Sequence, residues 1–265
     1  MMDVFVEGIG LCGPGLSGWH ASSRSLAGTV PYESRPSVLA SSLLLPPAER
    51  RRAIINVKLA LAVGEEAISH AELDASKTPT VFTSSGGDGE VIGQILETLA
   101  TPAREVSPTR FHNCVHNAPA GYWSIASRSR ERSTNLACFD ASFAAGLLEA
   151  AVEATVDGRP ILLIAYDSPR TPPLHATRPI CALFGVALIL RPSAGAGSLA
   201  RLSIEILRDG AEPARMAQED LETLRKGNPA ARSLPLLAAL ARKGQERIVL
   251  DYVGDSRLVV TTAPC

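Results

Sequence analysis

The 265-residue sequence predicts a layered α/β fold. Two observations carry this. Short apolar runs such as TVFT, ILLIAY and FGVALIL have the length and the Gly or Pro borders of buried strands. Between them lie stretches with helical spacing, so that the elements follow as β, α, β, α, α, β, α, β, β and then α, α, β, β. The length fits one large domain, or one domain with an appendage, and an apolar content of 46% can fill its core. The 26 Lys and Arg nearly cancel the 27 Asp and Glu, which gives no bulk charge for nucleic acid or an anionic membrane. Aromatics at 5% are too few for a base-stacking platform.

In chain order, VFVEGIGLCGPG reads as a strand ending in a glycine-rich turn. Gly8 and Gly10 form part of a G-x-G-x-x-G pattern, but Pro14 and a loop follow where a helix has to open, so no dinucleotide site is expected. Residues 29–48 are rich in Pro and Ser and read as a surface connection. Helical spacing then runs from Pro47 to Ala71. PTVFTSSGGDGE is a strand ending in glycines, and Val91–Leu99 is the helix after it. A phosphate loop is not expected there, because the GK[ST] ending is missing and Asp88 repels phosphate. STNLACF is a strand, and DASFAAGLLEAAVEAT is a helix so poor in charge that it reads as buried, with Gly146 marking close backbone packing. RPILLIAYDS and FGVALILRP are further buried strands, and LARLSIEIL is expected to pair with the second as a hairpin. Helical signals at 214–226 and 234–243 lead to two final strands, RIVLDYV and RLVVTT.

The candidate chemistry is sparse. Cys138 stands where a strand meets a helix, a position in which the helix dipole favours a thiolate, although free cysteines are among the most buried residue types and are usually inert. His112 and His116 are four residues apart, a spacing that puts both on one face if they share a helix, yet a proline break follows and no carboxylate is near to complete a metal site. A loop histidine satisfied by backbone is the plainer reading of each. Asp140 is placed to cap the helix that follows it. The opening residues lack a basic leader before a long apolar run, and no apolar stretch reaches the length of a membrane span. Five scattered cysteines with no CxxC pair fit free thiols in a reducing cytoplasm, the expected compartment. No metal and no cofactor is expected.

Taken in order, six pieces resemble the N-terminal half of a β-ketoacyl synthase over about residues 3–207. They are VFVEGIGLCGPG, the helix VKLALAVGEEAISHAELD with KTPTVFTSSGGDGE, SPTRFHNCVHNAPAGYWSIA, NLACFDASFAAGL, RPILLIAYDS and FGVALIL. The resemblance implies the thiolase fold as a half-fold, layered α/β/α around a mixed, mostly parallel sheet. It divides the chain into a ketosynthase-like half-domain, 1–207, and a C-terminal extension, 208–265, packed on it. It places Cys138 on the position of the nucleophile, Gly146 on the helix glycine, and Asn117, Ala120 and Gly121 on the "N-M-x-A-G" segment.

The departures bear on function. The second ketosynthase half carries two histidines used in decarboxylation and condensation, whereas this sequence has only His20, His70, His112, His116 and His175, with none after Ile180. A condensation needs positioned donors for the thioester oxyanion and the enolate as well as a thiolate. The pattern, and FHNCVHNAPAGYWSIA with FDASFAAGLLEAA above all, is similar to the chain length factors of aryl polyene pigment clusters. That resemblance implies a catalytically deficient subunit that pairs with a full-length ketosynthase and helps shape the pocket for an acyl chain on the phosphopantetheine of an acyl carrier protein. Phe111, Asn117, Tyr122, Trp123 and Phe139 are then acyl-tunnel or interface candidates, with core packing the alternative for the aromatic ones. Two other readings stay open: a Cys138-dependent acyl transferase or thioesterase assisted by His116 or His112, and a homodimeric acyl-binding scaffold.

Overall fold

A computed structural model describes every residue except 40, 41, 43 and 209. The chain opens with β1 (Met2–Gly13), a strand of 12 residues whose end is met by β2 (Leu16–Ser17) before α1 (Trp19–Leu26). Among its described residues, the Pro- and Ser-rich stretch holds no helix or strand before Pro47; residues 40, 41 and 43 of it lie outside the described set. The helix expected over 47–71 is two helices, α2 (Pro47–Arg52) and α3 (Ile55–His70). Ala53 and Ile54 between them are extended, because the exposed α2 buries no residue whereas α3 turns to lay Val57, Leu59, Leu61 and Val63 on the sheet.

The next unit is β3 (Thr80–Thr83) and α4 (Gly89–Leu99), whose N-terminus is capped by Asp88 accepting from the Val91 N–H at 3.0 Å. Two helices follow, α5 (Pro108–Asn113) and α6 (Ala118–Ser127), then β4 (Ser133–Leu136), a 3₁₀ turn at Phe139–Ala141, and α7 (Ser142–Asp157). Gly146 of α7 lies against β3: a Cβ there would stand 2.6 Å from Thr83 Cγ2, so the close packing expected of it is present. The chain continues through β5 (Ile161–Asp167), the short α8 (Leu174–Thr177), β6 (Phe184–Arg191) and β7 (Ala200–Leu207). It closes with α9 (Glu219–Gly227), a 3₁₀ turn at Ala230–Ser233, α10 (Leu234–Arg242), β8 (Glu246–Asp251) and β9 (Arg257–Pro264).

The strands form one sheet in the order β4-β3-β5-β6-β1-β7-β9-β8, with β2 on the end of β1. The sheet is mixed, with its parallel part concentrated in β4-β3-β5; the remaining ladders are antiparallel, a larger share than a mostly parallel sheet implies. Helical crossovers join the neighbouring parallel strands β3, β4 and β5, whereas the β5–β6 and β8–β9 connections reverse the chain. The hairpin expected between β6 and β7 is not formed, because β1 enters between them and pairs with both. β9 pairs with β7 from Ala200↔Pro264 to Leu207↔Arg257, so the C-terminal strands extend the main sheet.

The alternation of side chains along the strands builds the three layers. Val81, Ile161, Leu163, Val186 and Leu188 face the side covered by α7, α10 and α1. Phe82, Leu162, Ile164, Ala187 and Ile189 face α3 and α6. No helix among the described residues is long and apolar enough to cross a membrane.

Candidate functional site

The three parallel strands end side by side, and at their carboxyl ends stand Cys138 after β4, the loop Ser84–Gly87 after β3, and Asp167 with Arg170 after β5. In α/β sheets this rim is where ligand sites form.

Cys138 is half-buried and opens the 3₁₀ turn. Its N–H donates to Ser142 Oγ at 3.0 Å, Ser142 Oγ donates to the Phe139 carbonyl at 2.8 Å, and its own carbonyl accepts from the Ala141 N–H at 2.9 Å. These bonds hold Phe139 at φ 50°, a left-handed conformation uncommon for an aromatic residue. Phe139 is 63% exposed, and the Arg178 guanidinium lies 3.6 Å from its ring centroid. Asp140 does not cap α7, whose N-cap is Ala141. It accepts instead from Arg178 at 2.5 Å and stands 3.2 Å from Arg232, which also reaches Asp251 at 2.7 Å. Two guanidiniums from other parts of the chain thus hold this carboxylate in place of the α7 N-terminus.

Among the described residues no hydrogen bond joins Cys138 to a histidine. His116 Nε2 faces the Ser84 carbonyl at 3.1 Å, so that nitrogen carries the proton and the ring ties the β3 loop in place. His112 ends in α5 with its ring edge-on to Tyr122, 6.1 Å between centroids, and His116 lies in the turn beyond, so the two do not share a helical face. Among the described residues no three His, Cys, Asp or Glu side chains gather as metal ligands.

Asp167 anchors the same rim. Its Oδ1 accepts from Ser84 Oγ at 3.1 Å and from the Ser85 N–H and Oγ at 2.9 and 2.7 Å, and its Oδ2 accepts from the Ala230 N–H at 3.1 Å. Burial pushes its carboxyl up to about 6, and the four donors only partly offset that.

The aromatic candidates separate. Phe111 and Asn117 line one open groove of about 450 Å³ between α5 and α6, with Val115 and Ile125 beside them, while Tyr122 borders it and is buried in the same core as Trp123. Phe111, at 66% exposed, is the most exposed of the groove's large apolar side chains. Trp123 is core: a Cβ on Gly64 of α3 would come 2.6 Å from its Cζ3. Phe139 belongs to the Arg178 cluster and not to this groove. Ile125 was legible in principle, since Ala118, Gly121, Tyr122 and Ile125 recur at helical spacing. Arg170 and Arg178 carry no comparable signal, because they lie in a loop of irregular composition.

Residues 19–251 match the family model of the β-ketoacyl synthase N-terminal domain. The chain belongs to that family. Comparison with curated proteins gives no match. Among solved structures, this synthase-like chain is similar to a chain in the complex of the ketosynthase ApeO with its chain length factor ApeC from Xenorhabdus doucetiae. The two share 23% identity over 98% of this chain and 100% of that one, with a TM-score of 0.74. It is also similar to the ishigamide ketosynthase/chain length factor, at 14% identity, 98% and 99% coverage and a TM-score of 0.73. A β-ketoacyl synthase from Burkholderia phymatum STM815 matches at 17% identity over 87% of this chain and 71% of that one, with a TM-score of 0.59. At these identities the likeness establishes the thiolase-like fold shared with ketosynthases.

Proposed function

We propose that this protein is a non-catalytic chain length factor that pairs with a full-length ketosynthase and helps shape its acyl pocket in type II, aryl-polyene-like synthesis. The observation that carries the reading is that, among the described residues, no imidazole is bonded to Cys138, the residue the resemblance puts on the nucleophile position, to take its proton. Around it, Ser142, Arg178 and Asp140 fix a turn rather than an oxyanion hole.

The surface beside it supports pairing. β4 is an edge strand whose outer side has no partner among the described residues, all four of its residues are half-buried, and the Phe111–Ile125 groove is a second open apolar surface. Exposed strand edges and apolar grooves of this kind are covered in assemblies. The near-complete mutual overlap with chains of ketosynthase and chain length factor complexes agrees with this. In this reading the protein needs no cofactor of its own; the growing chain arrives on the phosphopantetheine of an acyl carrier protein held by the complex.

The first test is native mass by light scattering, for the protein alone and co-expressed with the ketosynthase encoded nearest to it. A one-to-one complex is expected. A tight homodimer indifferent to the ketosynthase overturns the reading in favour of a self-assembled scaffold. Product formation by the assembled complex is expected to survive Cys138→Ala, and a loss above about tenfold, roughly 1.4 kcal/mol of barrier, makes Cys138 a working nucleophile.

A further inference from the structure

Arg170 follows β5 and crosses the glycine-rich loop after β3. Its side chain explains the spacing GGDGEVIG: a Cβ at Gly86 would stand 2.3 Å from Arg170 Nη2, one at Gly89 2.5 Å from its Cγ, and one at Gly93 2.8 Å from the neighbouring Thr171 Oγ1. The loop is thus built to seat an arginine head. That head is half-buried, its Nε is buried without a hydrogen-bond partner, and among the described residues no carboxylate lies within ion-pair distance of it.

The nearest acidic groups are committed elsewhere. Asp167 takes four donors from Ser84, Ser85 and Ala230, and Asp88 caps α4 through Oδ1. Arg178 adds a second positive charge close by, and its own Nε is likewise buried and unpartnered. Burial, and after it the Arg178 charge, pulls the Arg170 guanidinium below its ordinary range. The Asp167 charge offsets this in part at longer range, but a half-buried guanidinium with no carboxylate in contact, beside a second one, is still a costly arrangement that an oxyanion relieves.

We propose that Arg170, seated over Gly86 and Gly89 at the carboxyl ends of β3 and β5, is the centre of a binding site for a small oxyanion, a phosphate or a carboxylate, next to the Cys138 turn. Arg178 supplies long-range charge while it holds Asp140 and Phe139. The site is independent of the ketosynthase-partner reading, and the lone protein suffices to test it.

Isothermal titration with sodium phosphate, and separately with sodium acetate, at constant ionic strength set by sodium chloride, is the experiment. Saturable binding of at least one of the two is expected, with a Kd on the order of 1 mM. Phosphate binding alone assigns the site to phosphate-like dianions, and acetate binding alone assigns it to carboxylates. Arg170→Gln is expected to weaken the binding at least tenfold, and Arg110→Gln, an exposed arginine on α5, to leave it unchanged. Gly86→Ala displaces the guanidinium without removing the charge, so it is expected to cause the same loss and decides the matter should Arg170→Gln not fold. No saturable binding of either anion, or binding in Arg170→Gln or a folded Gly86→Ala within twofold of the parent protein, overturns the proposal.

Discussion

The ionisation of Asp167 is tied to the fold by its burial. An unfolded aspartate titrates near 3.9, whereas burial raises Asp167 to about 6. Between those values the folded chain holds a proton that the unfolded chain has released, so stability falls as pH rises from about 4 to about 6 and levels off above. A difference of this size amounts to about 3 kcal/mol at most. Glu222, whose carboxyl the Arg225 side chain holds down to about 2, acts in the opposite sense in both the parent protein and Asp167→Asn, so the test is the difference between them. From pH 4 to pH 6.5 the urea midpoint of the parent protein is expected to shift downward relative to that of Asp167→Asn, which keeps the Oδ1 acceptor for Ser84 and Ser85. Equal pH slopes in the two proteins would show that Asp167 titrates normally. Cys138 bears on the proposed role at the same scale: among the described residues its N–H is held by Ser142 and no imidazole is hydrogen-bonded to its side chain.

Among the elements, β4 matters most for assembly. The Thr80 N–H donates to the Arg132 carbonyl and the Ser84 N–H to the Leu136 carbonyl, four residues further along. Residues alternate along a strand, so 132, 134 and 136 direct their backbone groups to β3, while Ser133 and Asn135 direct theirs to the open edge. Asn135→Pro therefore removes an outward N–H and leaves the β3 ladder whole. It is expected to weaken the complex with the ketosynthase at least tenfold with little change in the melting temperature of the lone protein. Unchanged affinity in a pull-down titration would mean that the sheet edge is not the contact. The glycines of β1 belong to the same scale. A Cβ on Gly8 would come 2.1 Å from the Ala67 carbonyl oxygen, and one on Gly10 1.9 Å from that of Val63. The G-x-G pattern exists because the α3 backbone rests on β1, and not to admit a pyrophosphate.

Across the whole molecule the core does not stop at residue 207. Leu202 and Ile204 of β7 share one apolar cluster with Leu234, Leu236 and Leu240 of α10 and with Leu258 and Val260 of β9. The later elements cover one face of the sheet and lengthen it, which gives β7 a partner in β9. The charge cluster around Asp140 depends on this closure, since Arg232 and Asp251 are brought to it from beyond residue 207.

By itself the sequence determined the layered α/β class, most of the strands, the buried α7 helix and the position of Cys138, because each is written in local periodicity, in glycine and proline borders and in the order of short motifs. The tertiary structure alone decided the rest. β1 inserts between β6 and β7, a long-range pairing that no hairpin pattern can announce. Asp140 abandons its helix for Arg178 and Arg232, which lie 38 and 92 positions away in the chain. Trp123 goes to the core and Phe111 to the surface, although both are aromatic and sit in one motif. Local propensity fixes what each segment becomes, but which side chains face one another follows from strand order and from charges that meet only after the sheet has closed.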